Sequence, residues 1–201
     1  MAASPDDEQA LIRRAARGDL DAFNALILRY QDSAYTLAYR IIGDSHAAAD
    51  AAQEAFIAAY RRLNSYRGGS FRAWLLRITT NQCYDELRRR QRRPAVSVDD
   101  LGDDPPLPDA ADTPEEVVQQ RELQRAIQDC IAALNPDQRI ALVLCDVEGL
   151  DYQAIAESVG AQIGTVKSRL SRARAAVRDC LQGIGELLPP AYRLISDERN
   201  D

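Results

Sequence analysis

The sequence predicts an all-α protein built as two small helical domains joined by a flexible acidic linker, the second ending in a helix-turn-helix. Three observations lead there. Alanine, leucine, arginine and glutamate recur in helical periods, while valine, threonine and aromatic residues rarely alternate as strands require. A stretch of Asp, Pro, Gly and Ala from 94 to 113 holds almost no large apolar group and divides the chain. Leu150 to Arg178 has the spacing of two short helices around a glycine turn. The 201 residues suffice for one large domain or two small ones, each with a modest core.

Taken in order, Asp7 to Gly18 places Leu11, Ile12, Ala15 and Ala16 on one helical face, and Asp19 or Asp21 can cap the next helix. That helix carries Phe23, Leu26, Ile27 and Tyr30 and continues through Tyr35, Leu37, Ala38, Ile41 and Ile42 to Gly43. These aromatic residues at helical spacing read as packing. Asp44 or Ser45 caps a third helix reaching about Asn64, with Ala48, Ala51, Ala52, Ala55, Phe56, Ala59, Tyr60 and Leu63 available for burial. On another part of its circumference lie Asp50, Gln53 and Glu54, a trio whose residues alone suggest ordinary helix solubility. A polar loop, Asn64 to Ser70, follows, and Ser70 can cap a helix from Phe71 to about Arg92. Its buried stripe is Phe71, Trp74, Leu75, Ile78 and Leu87. Its exposed stripe is Arg72, Arg77, Asn81, Arg88, Arg89, Arg90, Arg92 and Arg93, with only Asp85 and Glu86 as acids, a surface that attracts phosphate. Pro94 ends it.

The linker carries five acidic residues between Asp99 and Asp109. If extended, its twenty residues reach up to about 70 Å, comparable to two turns of B-DNA at ~34–36 Å each. Thr113-Pro-Glu-Glu116 is a capping box with proline at the first helical position, so a new helix starts there and offers Val117, Ala126, Ile127, Cys130, Ile131 and Leu134 for packing. Asn135-Pro136 repeats the signal, and Arg139 to Val147 gives a short apolar helix ending at Gly149. Asp151 caps the next helix, where Ile155, Ala156 and Val159 form the apolar face, and Gly160 makes the turn. From Gly164–Thr165 a last helix repeats Val166, Leu170, Ala173 and Val177 inward and leaves Lys167, Ser168, Ser171, Arg172, Arg174 and Arg178 outward. No acid lies between Gly164 and Arg178, so five positive charges go unneutralised locally. Such a helix fits a DNA major groove. A basic helix with an apolar stripe can also be a plain solvated face, but the glycine turn, the cap and the charge asymmetry weigh against it. Gly183, Gly185, Pro189 and Pro190 break up the C-terminal tail, which receives no role.

The net charge of −6 argues against nucleic acid only as an average. Basic residues cluster in Arg61–Arg93 and Lys167–Arg178, acids in the N-terminal part and in Asp99–Glu122. Cys83, Cys130, Cys145 and Cys180 are far apart, without a CxxC pair and with one histidine, His46, so neither a zinc site nor a disulfide framework is expected. The four read as reduced, mostly buried thiols. There is no signal-peptide apolar region and no run approaching the ~20 residues of a membrane span, so a soluble cytoplasmic protein is expected. One histidine, no glycine-rich phosphate loop and no clustered carboxylates leave no catalytic site, no metal site and no cofactor to expect.

Asp50-Ala-Ala-Gln-Glu-Ala-Phe56, Tyr66-Arg67, Phe71-Arg-Ala-Trp-Leu75, Asn81 and Asp85-Glu-Leu-Arg-Arg89 resemble, in order, the region-2 motifs of bacterial RNA polymerase sigma factors of the extracytoplasmic-function class. Leu134-Asn-Pro-Asp-Gln-Arg139, Gly149-Leu150, Ile155-Ala156 and Gly164-Thr-Val-Lys-Ser-Arg-Leu170 followed by Arg172-Ala-Arg174 resemble those of region 4. The resemblance implies a region-2-like domain over 1–93, a linker over 94–113, a region-4-like domain over 114–182 and a tail over 183–201. It implies that Asp50, Gln53, Glu54 and Phe56 dock on the polymerase β′ clamp helices, reversing the solubility reading of the polar trio. The Asn64–Ser70 loop, through Asn64, Tyr66 and Arg67 with Asn81, Arg88 and Arg89, would hold the −10 element and an extruded base. Thr165, Lys167, Ser168, Ser171, Arg172 and Arg174 would read the −35 element, with Arg169 nearer the apolar stripe in a structural position. The implied partners are core RNA polymerase, through its β′ clamp helices and β flap, promoter DNA and an anti-sigma factor, without membrane insertion. Few exposed aromatic residues on the region-2 helix imply melting only at well-matched promoters. Two departures stand out: Gln162 where the family usually has serine or proline, a weaker cap, and Asp151 in place of a frequent serine, an equal one. The rival reading is a stand-alone helix-turn-helix regulator, which leaves the first domain and the linker unexplained.

Overall fold

The computed structural model describes residues 5–92 and 114–184, and among them all regular structure is helical. The acidic linker, Thr113 of the capping box and the tail beyond 184 lie outside the described residues. Helix α1 (Pro5–Ala15) stops short of Gly18, which turns the chain at φ 94°. Asp19 caps α2 (Leu20–Ile42) by accepting the Ala22 amide at 3.0 Å, and Gly43 closes it in the left-handed region at φ 79°. Asp44 caps α3 (Ser45–Arg62) through the Ala47 amide at 2.7 Å, and a 3-10 turn (Leu63–Ser65) leads into the polar loop. The Ser70 hydroxyl accepts the Ala73 amide at the start of α4 (Phe71–Arg92). These caps were all legible as short polar side chains before apolar periods.

In the second half, α5 (Pro114–Ala132) begins at the expected proline, and Asn135 caps α6 (Pro136–Leu142) through the Gln138 amide at 3.0 Å. The single helix expected from Arg139 to Val147 is instead α6 followed by a π turn (Val143–Val147), in which the Glu148 amide reaches back five residues to Val143 O. The wider winding keeps Val143 and Leu144 in the core. Helix α7 (Tyr152–Val159) has Asp151 as its cap and Gly160 at φ 64° as its turn, and α8 (Ile163–Gly183) buries Val166, Leu170 and Ala173 as the periodicity predicts.

Two apolar clusters hold the molecule. One belongs to the first half alone: Ile12, Phe23, Leu26, Tyr30, Ala55, Ala59, Phe71, Leu75 and Ile78 join α1 to α4. The other is shared. Leu37, Ala38 and Ile41 of α2, Ala48 and Ala51 of α3 and Leu76 and Cys83 of α4 pack with Ile131, Ile140, Val143, Leu144, Ile155, Val166 and Leu170 from the second half. The sequence predicts two separate cores, because periodicity shows which face is apolar but not what covers it. In the structure the two modules are docked on each other. Trp74 and Leu87, expected in the α4 stripe, are only partly buried, while Leu76, Thr79, Thr80 and Cys83 take the inner positions.

The cysteine expectation is half overturned. Cys130 on α5 and Cys180 on α8 form a disulfide, with Cα atoms 5.8 Å apart. No spacing rule flags this pair, since the two cysteines are 50 positions apart and are brought together only by the packing of α5 against α8. Cys83 and Cys145 are free thiols, and burial pushes the Cys83 thiol up to about 12. Closing so long a loop restricts the unfolded chain and is worth up to about 4 kcal/mol. Cys130→Ser/Cys180→Ser is therefore expected to lower the unfolding free energy of the oxidised protein by a large fraction of that amount, read as a lower urea midpoint. Coincident midpoints for the two proteins would show the bridge to be energetically idle.

Candidate nucleic-acid interface

The outer face of α8 is built by its inner one. With Val166, Leu170 and Ala173 anchored in the shared core, Thr165, Lys167, Ser168, Ser171, Arg172 and Arg174 are all turned outward and exposed. Ser168 donates to Thr165 O at 2.9 Å, an internal bond within the first turn. Gln162 holds the cap position in extended backbone but supplies no side-chain bond, as its identity predicts. Arg174 differs from its neighbours on that face. It forks onto Asp146 at 2.9 and 2.6 Å, and this bond holds the Asp146 carboxyl below its ordinary value and raises the guanidinium. Arg169 pairs with Asp137, the structural position expected of it.

The second basic surface combines the polar loop with α4. Tyr66 and Arg67 of the loop, Arg62 before it and Trp74, Arg77 and Asn81 on α4 line a cleft of about 700 Å³. Tyr66 is fixed edge-on to both Phe71 and Trp74, with centroids 5.6 and 5.5 Å apart, and its hydroxyl donates to Gly69 O at 2.6 Å. Both Gly68 and Gly69 have positive φ, 95° and 89°, which lets the loop turn tightly enough for that bond. The expected −10 residues are thus only partly assembled. Tyr66, Arg67 and Asn81 share the cleft and Asn64 is exposed beside it, but Arg88 and Arg89 lie two turns further along α4. There they form exposed pairs with Asp85 at 2.8 Å and Glu86 at 2.7 Å. Hydrogen bonding to Glu86 raises the Arg89 guanidinium, and Asp50 of α3 lies near enough to contribute.

The far wall of the cleft comes from α7. Asp151, Gln153, Ala154, Glu157 and Ser158 face the loop and α4 across it. Arg72, expected in the exposed basic stripe, is spent on this docking. It donates to Glu148 O at 2.7 Å and pairs with the Glu148 carboxylate, whose side chain is only 4% exposed. Burial holds that carboxyl above its ordinary range and outweighs the guanidinium beside it. Gln128, Arg139 and Tyr84 make further polar contacts between the modules. Buried Gln128 donates weakly to Tyr39 O and Arg40 O and accepts from Arg40 at 3.0 Å, Arg139 donates to Ile41 O at 2.6 Å, and Tyr84 donates to Asp137 at 2.9 Å. Sequence reasoning missed Glu148 and Gln128. Neither belongs to a recognisable motif, and their partners lie 76 and 88 residues away.

Elsewhere on the first module, α2 and α3 flank an apolar groove, also of about 700 Å³. Leu20, Phe23, Ile27 and Tyr35 line one wall and Gln53, Phe56, Ile57 and Tyr60 the other. Of the four residues expected to meet polymerase, Asp50, Gln53 and Glu54 are exposed and Phe56 forms part of the groove floor at 9% exposure. Leu20 at 60% and Leu28 at 70% exposure extend the apolar surface beyond what the sequence signalled, since both sit off the buried stripe of α2.

Two basic surfaces on one helical chain, one a helix-turn-helix and one a loop and helix around an aromatic cluster, are the features of the DNA-binding class of protein. The family models "Sigma-70 region 2" and "Sigma-70, region 4" match residues 26–93 and 124–177. An RNA polymerase sigma-H factor of Pseudomonas aeruginosa is 40% identical over 88% of this chain and 95% of its own length. The ECF RNA polymerase sigma factor SigE of Mycolicibacterium smegmatis is 38% identical over 83% of this chain, which spans 65% of that relative. The sigma factor RpoE of Bartonella quintana, solved in complex with the anti-sigma factor NepR, superimposes with a TM-score of 0.63 at 25% identity, covering 79% of this chain and 96% of that one. This chain belongs to the extracytoplasmic-function family of RNA polymerase sigma factors. It is an alternative sigma factor that directs transcription initiation.

The uncapped start of α8 gives a direct check on the helix-turn-helix. Gln162 is exposed with extended backbone angles, so Gln162→Ser can accept an amide of the first turn without displacing a neighbour. It is expected to stabilise the protein by about 0.5–1 kcal/mol in urea unfolding; an unchanged or lower midpoint contradicts the assignment of the cap.

Proposed function

We propose that the chain divides its work between the two modules, residues 1–93 and 114–182, with 94–113 as their tether. The α2–α3 groove and the exposed Asp50, Gln53 and Glu54 beside Phe56 receive the polymerase clamp helices. An exposed apolar groove rimmed by carboxylates and amides matches a partner helix pair that presents apolar and basic side chains. Asn64, Tyr66, Arg67 and Asn81 hold the −10 element, and Arg88 and Arg89 meet phosphates further along α4. Extruding a base costs a few kcal/mol, offset by stacking on an aromatic edge and by phosphate contacts. In this reading Tyr66 and Trp74 supply the first of these and Arg67 the second.

Thr165, Lys167, Ser168, Ser171, Arg172 and Arg174 read the −35 element in the major groove. Lys167 and Arg172 stand exposed on that face, whereas Arg174 must exchange Asp146 for a phosphate or a base edge. The protein contributes no catalytic group, and nucleotide addition belongs to polymerase. It works in the cytoplasm, and no helix among the described residues is long and apolar enough to cross a membrane. By analogy with the NepR complex, an anti-sigma factor is its expected inhibitor.

The observation that carries this reading is the outward face of α8, which displays Lys167, Arg172, Arg174 and Arg178 with no acid among them, paired with a second basic surface in the same chain. Run-off transcription decides it. Core polymerase plus this protein is expected to start at a specific promoter that core alone ignores, while operator-like binding with no dependence on polymerase supports the stand-alone regulator instead. Within that assay, Arg172→Ala is expected to weaken use of the upstream element by roughly 1–3 kcal/mol. An unchanged rate and footprint over the −35 region removes Arg172 from the interface.

A further inference from the structure

The cleft between the polar loop and α7 has walls of opposite character. Arg62, Arg67 and Arg77 stand on one side, and Asp151 and Glu157 on the other. A single strand entering it meets carboxylates directly across from the arginines meant for its phosphates, and a closed wall where several successive nucleotides need an open path. The aromatic edge of Tyr66 and Trp74 lies inside the same cleft. Nothing about the −10 surface requires this wall. It is there because the second module is docked on the first.

We propose that α7 is a lid over the −10 surface, latched by Glu148 on Arg72, and that the free protein gains single-stranded DNA only when this latch opens. The inference rests on the assignment of that surface to the −10 element. The latch has the properties of a releasable one. Glu148 is enclosed but the Arg72 side chain is 35% exposed, so a phosphate can approach the guanidinium from solvent and compete with the carboxylate for it. Arg72 itself belongs to the basic stripe of α4, so opening returns one cation to the surface that phosphate would meet. The other polar crossings act at a distance from the cleft: Gln128 on the last turn of α2 and Tyr84 on Asp137. They hold the same docked arrangement through other elements, α2 with α5 and α4 with α6.

The protein carries its own reporter. Trp74 is its single tryptophan and lines the cleft beneath the lid. In the full-length protein, without DNA, Glu148→Ala is expected to shift Trp74 emission to longer wavelength and raise its quenching by acrylamide, with the far-UV circular dichroism retained. Gln128→Ala is the second variant, releasing the docking from α5 without touching the cleft, and is expected to act in the same direction. Both are expected to bind a fluorescein-labelled single-stranded oligonucleotide pool of mixed sequence about tenfold more tightly than the unaltered protein, a difference of about 1.4 kcal/mol. Unchanged emission in folded variants overturns the lid, and so does altered emission without a gain in affinity. Run-off transcription with core polymerase keeps the two ideas apart. If the unaltered protein supports initiation and the variants bind no tighter, only the lid is lost; if it supports none, the −10 assignment is lost as well.

Discussion

A single guanidinium, that of Arg139, lies where three helix ends meet. It donates to Ile41 O at the end of α2, to Ala132 O at the end of α5 and to Leu134 O just before α6. Carbonyls at helix C-termini carry the negative end of the macrodipole and lack partners within their own helices. One half-buried cation satisfies several of them together. Burial lowers the pKa of this group, and its Nε has no hydrogen-bond partner, so the site is maintained against a real desolvation penalty. What it secures is the relative placement of the modules, because Ile41 belongs to the first and the other two carbonyls to the second.

From that junction the remainder of the architecture follows. With α5 and α6 fixed to the end of α2, the π turn carries Leu144 inward and Glu148 to Arg72, and α7 is set down across α4. Helix α8 then closes over α6, held by Val166, Leu170 and Ala173 and tied to α5 through Cys130 and Cys180. The same contacts that bury apolar surface also decide which cations are displayed. Arg72 and Arg169 are withdrawn into pairs between elements, Arg174 is shared with Asp146, and Lys167 and Arg172 remain turned to solvent. A chain of net charge −6 can therefore present two surfaces rich in cations, since its basic residues are concentrated in two stretches of the sequence.

Much of this was readable from residue order. Asp19, Asp44, Asn135 and Asp151 announced helix starts because a short side chain can bond an amide three residues on, whatever the rest of the fold does. Gly43 and Gly160 announced helix ends for an equally local reason, their left-handed backbone. The inward stripe of α8, and therefore its outward reading face, came from a period of 3.6 residues alone. The Cys130–Cys180 bridge, the buried Glu148 and the bridging Gln128 could not be found that way, since each depends on a partner at least 50 residues distant.

The sequence by itself determined where helices begin and end, which side of each is apolar, and that two basic helical faces exist. Those properties depend on interactions within a few residues, which the chain order specifies directly. Only the tertiary structure decided that the two modules share an apolar cluster, that Arg72 turns from a surface cation into the partner of a buried carboxylate, and that α7 faces the polar loop across a cleft. Apolar burial has no direction of its own, so a greasy stripe records the need for a cover without naming it; the cover is selected by shape, and by the few polar groups, Arg139 foremost, that must be satisfied once water is gone.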